Sequence, residues 1–255
     1  PANPRSTITV PAASALVRTL LAAERYWLAP TAPPLRRRAA NAGWAPDVFD
    51  AFCNRCGRTT GPHEETEFGC AGCATEAPVW TRFVRLGEFD GDLRQWVHEV
   101  KFTRWRRQGL DHGCLLGERL LEAGLPRGAV VVPMPTTVRR RIARGIDHAA
   151  IVARGVAERV DGKVIRALRR RHRPSQRAVT PGERARNVSG AFRRAKNWDF
   201  PLETPVVLVD DVRTSGATID AAARALRGRR QAGAPLWAGV VGVAPEPGRR
   251  RAEGT

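Results

Sequence analysis

The chain has 255 residues, 42% of them hydrophobic, and 43 lysine and arginine residues against 25 aspartate and glutamate residues, a formal charge of +18. This length and apolar content predict a globular protein with a small appendage and exclude a disordered chain. No stretch approaches the ~20 apolar residues of a membrane span, so we expect no membrane insertion.

Arginine supplies nearly all of the positive charge, since only Lys101, Lys163 and Lys196 are lysines. A charge of this size favours anionic partners such as phosphorylated metabolites or nucleic acid. Arginines spread over solvated faces explain it equally well, so the charge alone does not choose between the two interpretations.

Residues 1–50 are predicted to form an N-terminal arm. One helix covers residues 14–27, and a Pro/Arg-rich linker containing APTAPPLRRRAA (29–40) follows it. The apolar part of that helix is interrupted by Arg18 and followed by Glu24, unlike a signal peptide. We therefore expect a cytoplasmic protein.

Four cysteines fall in the segment 51–79 as two C-x2-C pairs, Cys53 with Cys56 and Cys70 with Cys73. Each pair can present two thiolates from one turn, and two such turns make a tetrahedral four-sulfur site suited to structural zinc. An iron–sulfur site and unliganded thiols are the alternatives, while disulfides are disfavoured in the cytoplasm. A closed four-sulfur site leaves no coordination position for catalysis.

Residues 80–246 alternate between strand and helix patterns, which predicts an α/β domain with a parallel sheet and crossover helices. The predicted strands are 80–89, 129–135, 163–168, 190–193, 205–211 and 236–244. The predicted helices are 92–102, 109–122, 149–160 and 218–229, and residues 247–255 form a basic C-terminal tail.

Asp210 and Asp211 end the apolar run 205–211, and a loop of small and hydroxyl residues follows them. Ligands of parallel α/β sheets bind beyond the carboxyl ends of the strands. Backbone N–H groups and the hydroxyls of Thr214, Ser215 and Thr218 can cradle a phosphate at the start of the next helix. The acids can accept hydrogen bonds from ribose hydroxyls or lie near a hydrated Mg²⁺, although such a pair is also common as a plain helix cap.

The stretch VVLVDDVRTSGAT (206–218) resembles the phosphoribosyl-pyrophosphate (PRPP) motif of the type I phosphoribosyltransferases. VPMPTTVRRRIARGIDHAA (132–150) and RPSQRAVTPGERARNVSGAF (173–192) are similar to segments of the ComF-like, competence-associated branch of that group. A four-cysteine zinc module and a helix ending in V-K-F are features of the same family, and the resemblance covers about residues 50–245. Departures are Arg213, where an apolar residue is common, and Ile146, Asp147 and His148, where Phe, Asn and Gln are usual.

The resemblance implies a type I phosphoribosyltransferase fold and Mg²⁺-dependent pentosyl transfer. Asp210 and Asp211 would be the catalytic acids that hold the ribose hydroxyls, with Mg²⁺ bridging ribose and pyrophosphate. The basic loop 169–186 would be a hood over the site. The implied PRPP ligands are Met134, Pro135, Thr136, Thr137, Arg144, Asp210, Asp211, Arg213, Thr214, Ser215, Gly216, Ala217 and Thr218.

Three functions are consistent with the resemblance. The first is a phosphoribosyltransferase that acts on PRPP and a nitrogenous acceptor. The second is an accessory protein of DNA uptake that binds single-stranded DNA or a helicase partner, with a regulatory PRPP site. The third is a relative that binds a nucleotide and only regulates. The sequence identifies no acceptor and leaves a homodimer open.

Overall fold

The computed structural model describes residues 33–61, 64–66, 68–75, 77–103, 106–136, 146–170, 190–195, 203–228 and 235–245. The predicted helix 14–27, most of the basic loop 169–186 and the C-terminal tail lie outside these residues.

A five-stranded parallel sheet forms the centre of the described chain. Its strands lie in the order β3 (Arg82–Glu88), β9 (Leu236–Val243), β8 (Val206–Arg213), β4 (Val130–Pro133) and β5 (Lys163–Val164). Each neighbouring pair is parallel. Every residue of β9 is buried, as expected of an apolar strand that is covered on both faces. The predicted parallel-sheet α/β class is confirmed.

Helices cover both faces of the sheet. On one face, α3 (Gly91–Thr103), α4 (Arg106–Glu122) and α5 (His148–Arg159) pack on the side chains of Val207 and Val209. On the other face, α6 (Ala217–Arg227) packs on Val206 and Leu208. Successive residues of β8 therefore enter two separate apolar cores, because side chains alternate between the faces of a strand.

The predicted elements between residues 80 and 244 are confirmed with shifted ends. The strand predicted over 163–168 is divided into β5 and β6 (Leu168–Arg170), and β6 pairs antiparallel with β7 (Phe192–Arg194). The strand predicted over 205–211 continues to Arg213, because Val212 and Arg213 pair with Gly242 and Val243 of β9. The two aspartates consequently lie within the strand and not after it.

The predicted N-terminal linker is wrong for residues 35–42, which form helix α1 (Leu35–Ala42). Leu35 is 1% exposed in the core, and its N–H donates to Asp111 Oδ2 of α4 at 3.1 Å. The prolines in this stretch do not break the helix, because Pro33 and Pro34 precede its first residue, where proline is tolerated. Arg38 pairs with Glu99 and fastens the helix to α3.

The cysteine-bearing segment packs against β3. It contains the short strands β1 (Glu65–Thr66) and β2 (Gly69–Cys70), which are antiparallel, and the single-turn helix α2 (Ala71–Thr75). The N–H of Phe83 on β3 donates to the carbonyl of Asn54 at 2.6 Å. Within the part of the chain that the structure describes, no helix combines the length and apolar character needed to cross a membrane.

Candidate functional site

A crevice is expected between the carboxyl ends of β4 and β8. The two strands are neighbours in the sheet, but the chain leaves them in opposite directions, from β4 through α5 to β5 and from β8 through α6 to β9. The two connecting helices also lie on opposite faces of the sheet. A reversal of this kind separates the loops that follow the two strands, and ligands of α/β sheets bind there.

Asp210 and Asp211 lie on the β8 side of this crevice. Asp211 Oδ2 forms an ion pair with Lys101 Nζ of α3 at 2.9 Å, with the two side chains 19% and 14% exposed. The backbone N–H of Asp211 donates to Asp210 Oδ1 at 2.9 Å, and the N–H of Val212 donates to Asp211 Oδ1 at 2.8 Å. The acids thus contact a partly buried ammonium group and the strand's own N–H groups, which offset the cost of desolvating two adjacent carboxyl groups.

The two carboxyl groups differ in their pKa. Burial, followed by the charge of Asp211, raises the pKa of Asp210 well above its ordinary value. Burial alone would also raise the pKa of Asp211, but the ammonium of Lys101 outweighs burial and holds that pKa below its ordinary value. At neutral pH the pair therefore has one ionised carboxylate that accepts hydrogen bonds, beside a carboxyl group that is more easily protonated.

The loop after β8 leads directly into α6. Gly216 is the residue before the helix, with φ of 82°, and no side chain caps the helix start. Thr214 and Ser215 are exposed, and Ala217 and Thr218 are partly buried in the first turn. Uncapped N–H groups at a helix start, beside three hydroxyl side chains, form a suitable cradle for a phosphate.

The β4 side of the crevice carries Met134, Pro135 and Thr136. The N–H of Met134 donates to the carbonyl of Val209 at 2.8 Å, which places this loop directly beside Asp210. The Met134 side chain is buried in the apolar core, so only its backbone is available to a ligand. Asp147, the residue before α5, accepts hydrogen bonds from the Thr136 hydroxyl at 3.3 Å and from Arg166 at 2.9 Å.

Arg213 does not extend into the crevice as a solvent-facing ligand. Only 9% of the residue is exposed, and its guanidinium carbon lies 5.9 Å from the centre of the Phe83 ring. The guanidinium also lies against Gly216, since a Cβ added there would stand 2.6 Å from Arg213 Nη2. The side chain therefore packs against the loop 214–218 at Gly216.

The four predicted metal-binding cysteines come together. Their sulfur atoms all lie within 4.8 Å of one another, and the four residues are buried. The separations are 3.7 Å for Cys53–Cys73, 3.6 Å for Cys56–Cys70 and 3.9 Å for Cys70–Cys73. Four sulfurs at about 2.3 Å from a central zinc would stand about 3.8 Å apart, so the cluster fits a zinc ion and is too open for disulfides.

The thiol environment agrees with a metal site. The hydrogen bond from the Cys56 thiol lowers the pKa of Cys53, and the backbone N–H of Cys70 donates to Cys53 Sγ at 3.3 Å. The same hydrogen bond raises the pKa of Cys56, and burial raises the pKa of Cys73, so without a metal the fold favours one thiolate, at Cys53. A thiolate is therefore stabilised by the fold, and thiolates are what zinc binds.

Most of the predicted site residues fall in one place. The structure brings Met134, Pro135 and Thr136 beside Asp210–Thr218, whereas Thr137 and Arg144 lie outside the described residues. Sequence reasoning missed Lys101 and Asp147 as members of the site. Two features of the sequence mark Lys101: it lies in V-K-F near the end of its helix, and it is one of three lysines among 43 basic residues. His112 of α4 is buried, with 2% of the residue exposed, and burial lowers its pKa to about 4.

Comparisons with known proteins identify relatives by sequence. The DNA utilization protein YhgH of Salmonella typhi is 29% identical over 200 residues, which cover 73% of this chain and 82% of that protein. YhgH of Escherichia coli (strain K12) is 27% identical over 199 residues, with the same coverage. Competence protein F of Haemophilus influenzae is 26% identical over 186 residues, or 69% of this chain and 78% of that protein. No family model matches the chain.

An α/β protein with a parallel sheet and a four-cysteine cluster is thus the class defined by the fold and the site. The chain is homologous to the YhgH and competence protein F proteins, which confirms the ComF-like resemblance.

Solved structures give a weaker likeness. A structure of the allosteric regulatory enzyme of purine biosynthesis overlaps 56% of this chain and 30% of that chain, with 18% identity and a TM-score of 0.36. A hypoxanthine phosphoribosyltransferase from Staphylococcus aureus overlaps 59% of this chain and 70% of that chain, with 15% identity and a TM-score of 0.32. Overlaps with such low TM-scores carry no weight for activity.

Proposed function

We propose that this chain binds PRPP with Mg²⁺ in the crevice between β4 and β8 and transfers its phosphoribosyl group to a nitrogenous acceptor, with release of pyrophosphate. The observation that carries the proposal is the position of the PRPP-like stretch 206–218. Its acids lie in the last residues of one strand of a reversed strand pair and its hydroxyl-rich loop follows that strand, while the loop 134–136 follows the other strand.

Each part of the crevice suits one part of PRPP. The loop of Thr214, Ser215, Gly216, Ala217 and Thr218 would hold the 5′-phosphate at the start of α6. The acids would meet the ribose hydroxyls, with Asp211, whose pKa is lowered, accepting hydrogen bonds, beside Asp210, whose pKa is raised. The loop that begins at Met134, with Thr137 and Arg144 beyond it, would receive the pyrophosphate.

The proposed reaction breaks the bond from ribose C1 to the pyrophosphate oxygen and forms a bond from C1 to a nitrogen of the acceptor. Its transition state has oxocarbenium character, so positive groups near the departing pyrophosphate would accelerate it. Carboxylate ligands suit Mg²⁺, which would neutralise part of the pyrophosphate charge when bound. Within the chain, Lys101 supplies a buried ammonium group at the acids, and ligand hydroxyls would compete with it for Asp211.

The four cysteines would hold a structural zinc ion in a protein that acts in the cytoplasm, where thiols remain reduced. The closed four-sulfur arrangement gives this ion no open position for a substrate. Its role in the proposal is to stabilise the segment that packs on β3.

Ligand binding is tested by thermal unfolding with PRPP and Mg²⁺. A ligand present at 100 times its dissociation constant stabilises the folded state by about 2.7 kcal/mol, so a clear rise of Tm is expected. Asp210→Asn and Asp211→Asn should abolish the rise. Asp161→Asn is the matched control, since Asp161 is an exposed aspartate outside the crevice that pairs with exposed Arg127. No rise for the parent protein would refute the proposal.

Transfer is tested by pyrophosphate release in the presence of a panel of nitrogenous bases. Release that depends on one base and on both aspartates would establish the enzyme. PRPP binding without release for any base would instead favour the relative that only regulates.

The names of the homologues favour a second candidate function, an accessory role in DNA uptake. They are described as DNA utilization and competence proteins, and this chain has a charge of +18 that favours nucleic acid. In this role the chain would bind single-stranded DNA or a helicase partner, with PRPP as a regulator.

Single-strand binding should weaken steeply with salt, by roughly 0.7 in log K per unit of log salt for each phosphate neutralised. A change of DNA affinity on adding PRPP would support regulation. DNA binding that is absent at low salt would contradict the accessory role as a DNA-binding protein.

A further inference from the structure

We propose that Arg213 is a positioning residue that couples the cysteine cluster to the phosphate loop 214–218, so that loss of the metal loosens the loop. The coupling runs through Phe83, which contacts both the cysteine-bearing segment and Arg213. The proposed use of the loop rests on the PRPP function above, but the contacts do not.

The first step joins the turn of Cys53 and Cys56 to the start of β3. Two carbonyls of this turn accept hydrogen bonds from that region, Asn54 from the N–H of Phe83 and Arg55 from the indole of Trp80, each at 2.6 Å. Gly57, the last residue of the turn, packs directly on the Phe83 ring, since a Cβ added to Gly57 would stand 2.2 Å from Phe83 Cε1. A metal that shapes this turn therefore also sets the position of the ring.

The second step joins the Phe83 ring to Arg213. The guanidinium carbon lies 5.9 Å from the ring centre, which is within cation–π range, and both side chains are buried. Arg213 stands where the resembling motif commonly has an apolar residue, so the contact is a feature of this chain and does not follow from the motif.

The third step joins Arg213 to the loop. A Cβ added to Gly216 would stand 2.6 Å from Arg213 Nη2, 2.8 Å from Nε and 3.0 Å from Cζ. Gly216 also needs its φ of 82°, which few other residues adopt, to begin α6. The loop thus rests on the guanidinium group at the residue that directs the chain into the helix, and movement of the guanidinium must move the loop.

Arg213 could alternatively fill space in the core without any link between the two sites. If Arg213 only fills space, a long apolar side chain at position 213 should leave the conformation of the loop and the amide exchange of α6 unchanged. It also predicts that the metal affects only the residues around the cysteines. The coupling predicts the opposite on both points.

Hydrogen exchange measured by mass spectrometry on the full chain tests the coupling without PRPP. Chelation of the metal should speed exchange of the amides of 220–223, the first hydrogen-bonded amides of α6, where the Asp220 N–H donates to the Gly216 carbonyl at 2.9 Å. The expected increase is roughly two- to thirtyfold, the range expected for loss of a cation–π contact. Arg213→Met should show fast exchange there with the metal bound, and chelation should then add little. Arg127→Met, at an exposed arginine outside this chain of contacts, is the matched control and should behave as the parent.

Phe83→Leu provides a test that keeps the metal in place. The substitution retains an apolar side chain at the position but removes the ring, so the loop should loosen while the cysteine peptides stay protected. The proposal is overturned if chelation affects only the cysteine peptides, or if the amides of 220–223 in Arg213→Met are as protected as those of the parent.

The PRPP site is tested separately with the same variants. If the parent binds PRPP, Arg213→Met should bind it more weakly even with the metal present. If the parent binds no PRPP, the proposed function fails, while the exchange result still decides the coupling.

Discussion

Asp210 and Asp211 are adjacent and chemically identical, yet their surroundings drive their pKa values apart. Burial, followed by the charge of Asp211, raises the pKa of Asp210. Lys101 meets Asp211 at 2.9 Å, and its pKa is lowered. One of the acids therefore costs stability at neutral pH, which is common for residues that a site needs for its ligand.

Asp210→Asn is expected to raise stability at neutral pH. A carboxyl group whose pKa is raised by folding loses stability as the pH rises from its ordinary pKa, near 3.8, to its folded value. The amide has no such cost, so the gain over the parent should be absent below pH 3.8 and should grow as the pH rises above it. Each unit of pKa shift corresponds to about 1.4 kcal/mol. Thermal unfolding over this pH range measures the difference.

Asp211→Asn supplies the control of opposite sign. The pKa of Asp211 is lowered by folding, so its contribution is present at neutral pH and is lost as the pH falls through its folded pKa. The substitution also leaves Lys101 without its carboxylate, so it should destabilise the protein at pH 7. Equal effects of the two substitutions would contradict the assignment of the ionised and protonated acids.

The acids could be predicted from the sequence, but their partner could not. Asp210 and Asp211 stand in a local stretch whose spacing is distinctive. Lys101 lies 110 positions before Asp211 in the chain. It reaches Asp211 only because α3 packs on the sheet. Such a contact depends on tertiary packing, and no local pattern specifies it.

Helices α4 and α5 approach each other closely through glycine. A Cβ added to Gly113 of α4 would stand 2.1 Å from the carbonyl oxygen of Val152, and one added to Gly155 of α5 would stand 2.3 Å from that of Leu110. The sequence predicts both helices, over 109–122 and 149–160, but it does not predict the distance between them. A glycine within a helix has the same local sequence pattern whether its face is exposed or covered.

Gly113→Ala is expected to destabilise the protein. The added methyl group meets backbone on α5, which cannot rotate away, so the two helices must separate. Overpacking of this kind costs about 1–3 kcal/mol, occasionally more, and Tm falls by about 2–4 °C for each kcal/mol in a protein of this size.

Gly228→Ala is the matched control for this substitution. Gly228 has φ of −35°, and the nearest atoms to an added Cβ are 3.9 and 4.0 Å away. Its Tm should change little. Unfolding curves that are equal for the two alanine variants would show that the helices tolerate separation.

In the described molecule, buried contacts at β3 join the cysteine-bearing segment to the sheet. Arg85 of β3 is 1% exposed, pairs with Asp47 Oδ2 at 2.7 Å, and donates to the Gly57 carbonyl at 2.9 Å. Burial lowers the pKa of Arg85, and the charge of Asp47 opposes that shift. A charge buried in this way is stable only while its partners stay in place, so the segment and the sheet should unfold together.

Removal of the metal is expected to lower the Tm of the whole protein. The parent should bind one zinc ion per chain, and chelation or Cys70→Ser with Cys73→Ser should shift a single unfolding transition downward. Cys114→Ser is the control, because Cys114 is a partly exposed cysteine outside the cluster. Metal analysis and calorimetry measure both effects, and retention of zinc by the double variant would refute the four-sulfur site.

The sequence by itself determined the elements and the motifs, because helix and strand periodicity, paired cysteines and the stretch 206–218 are local patterns that act over a few residues. Tertiary structure alone decided that residues 35–42 form a packed helix, that Lys101 faces Asp211, and that Arg213 packs against Gly216. The physical reason is the same in each case. A long polar side chain, or a short amphipathic stretch, takes its position from partners that are distant in the chain, and burial among those partners sets both its conformation and its charge.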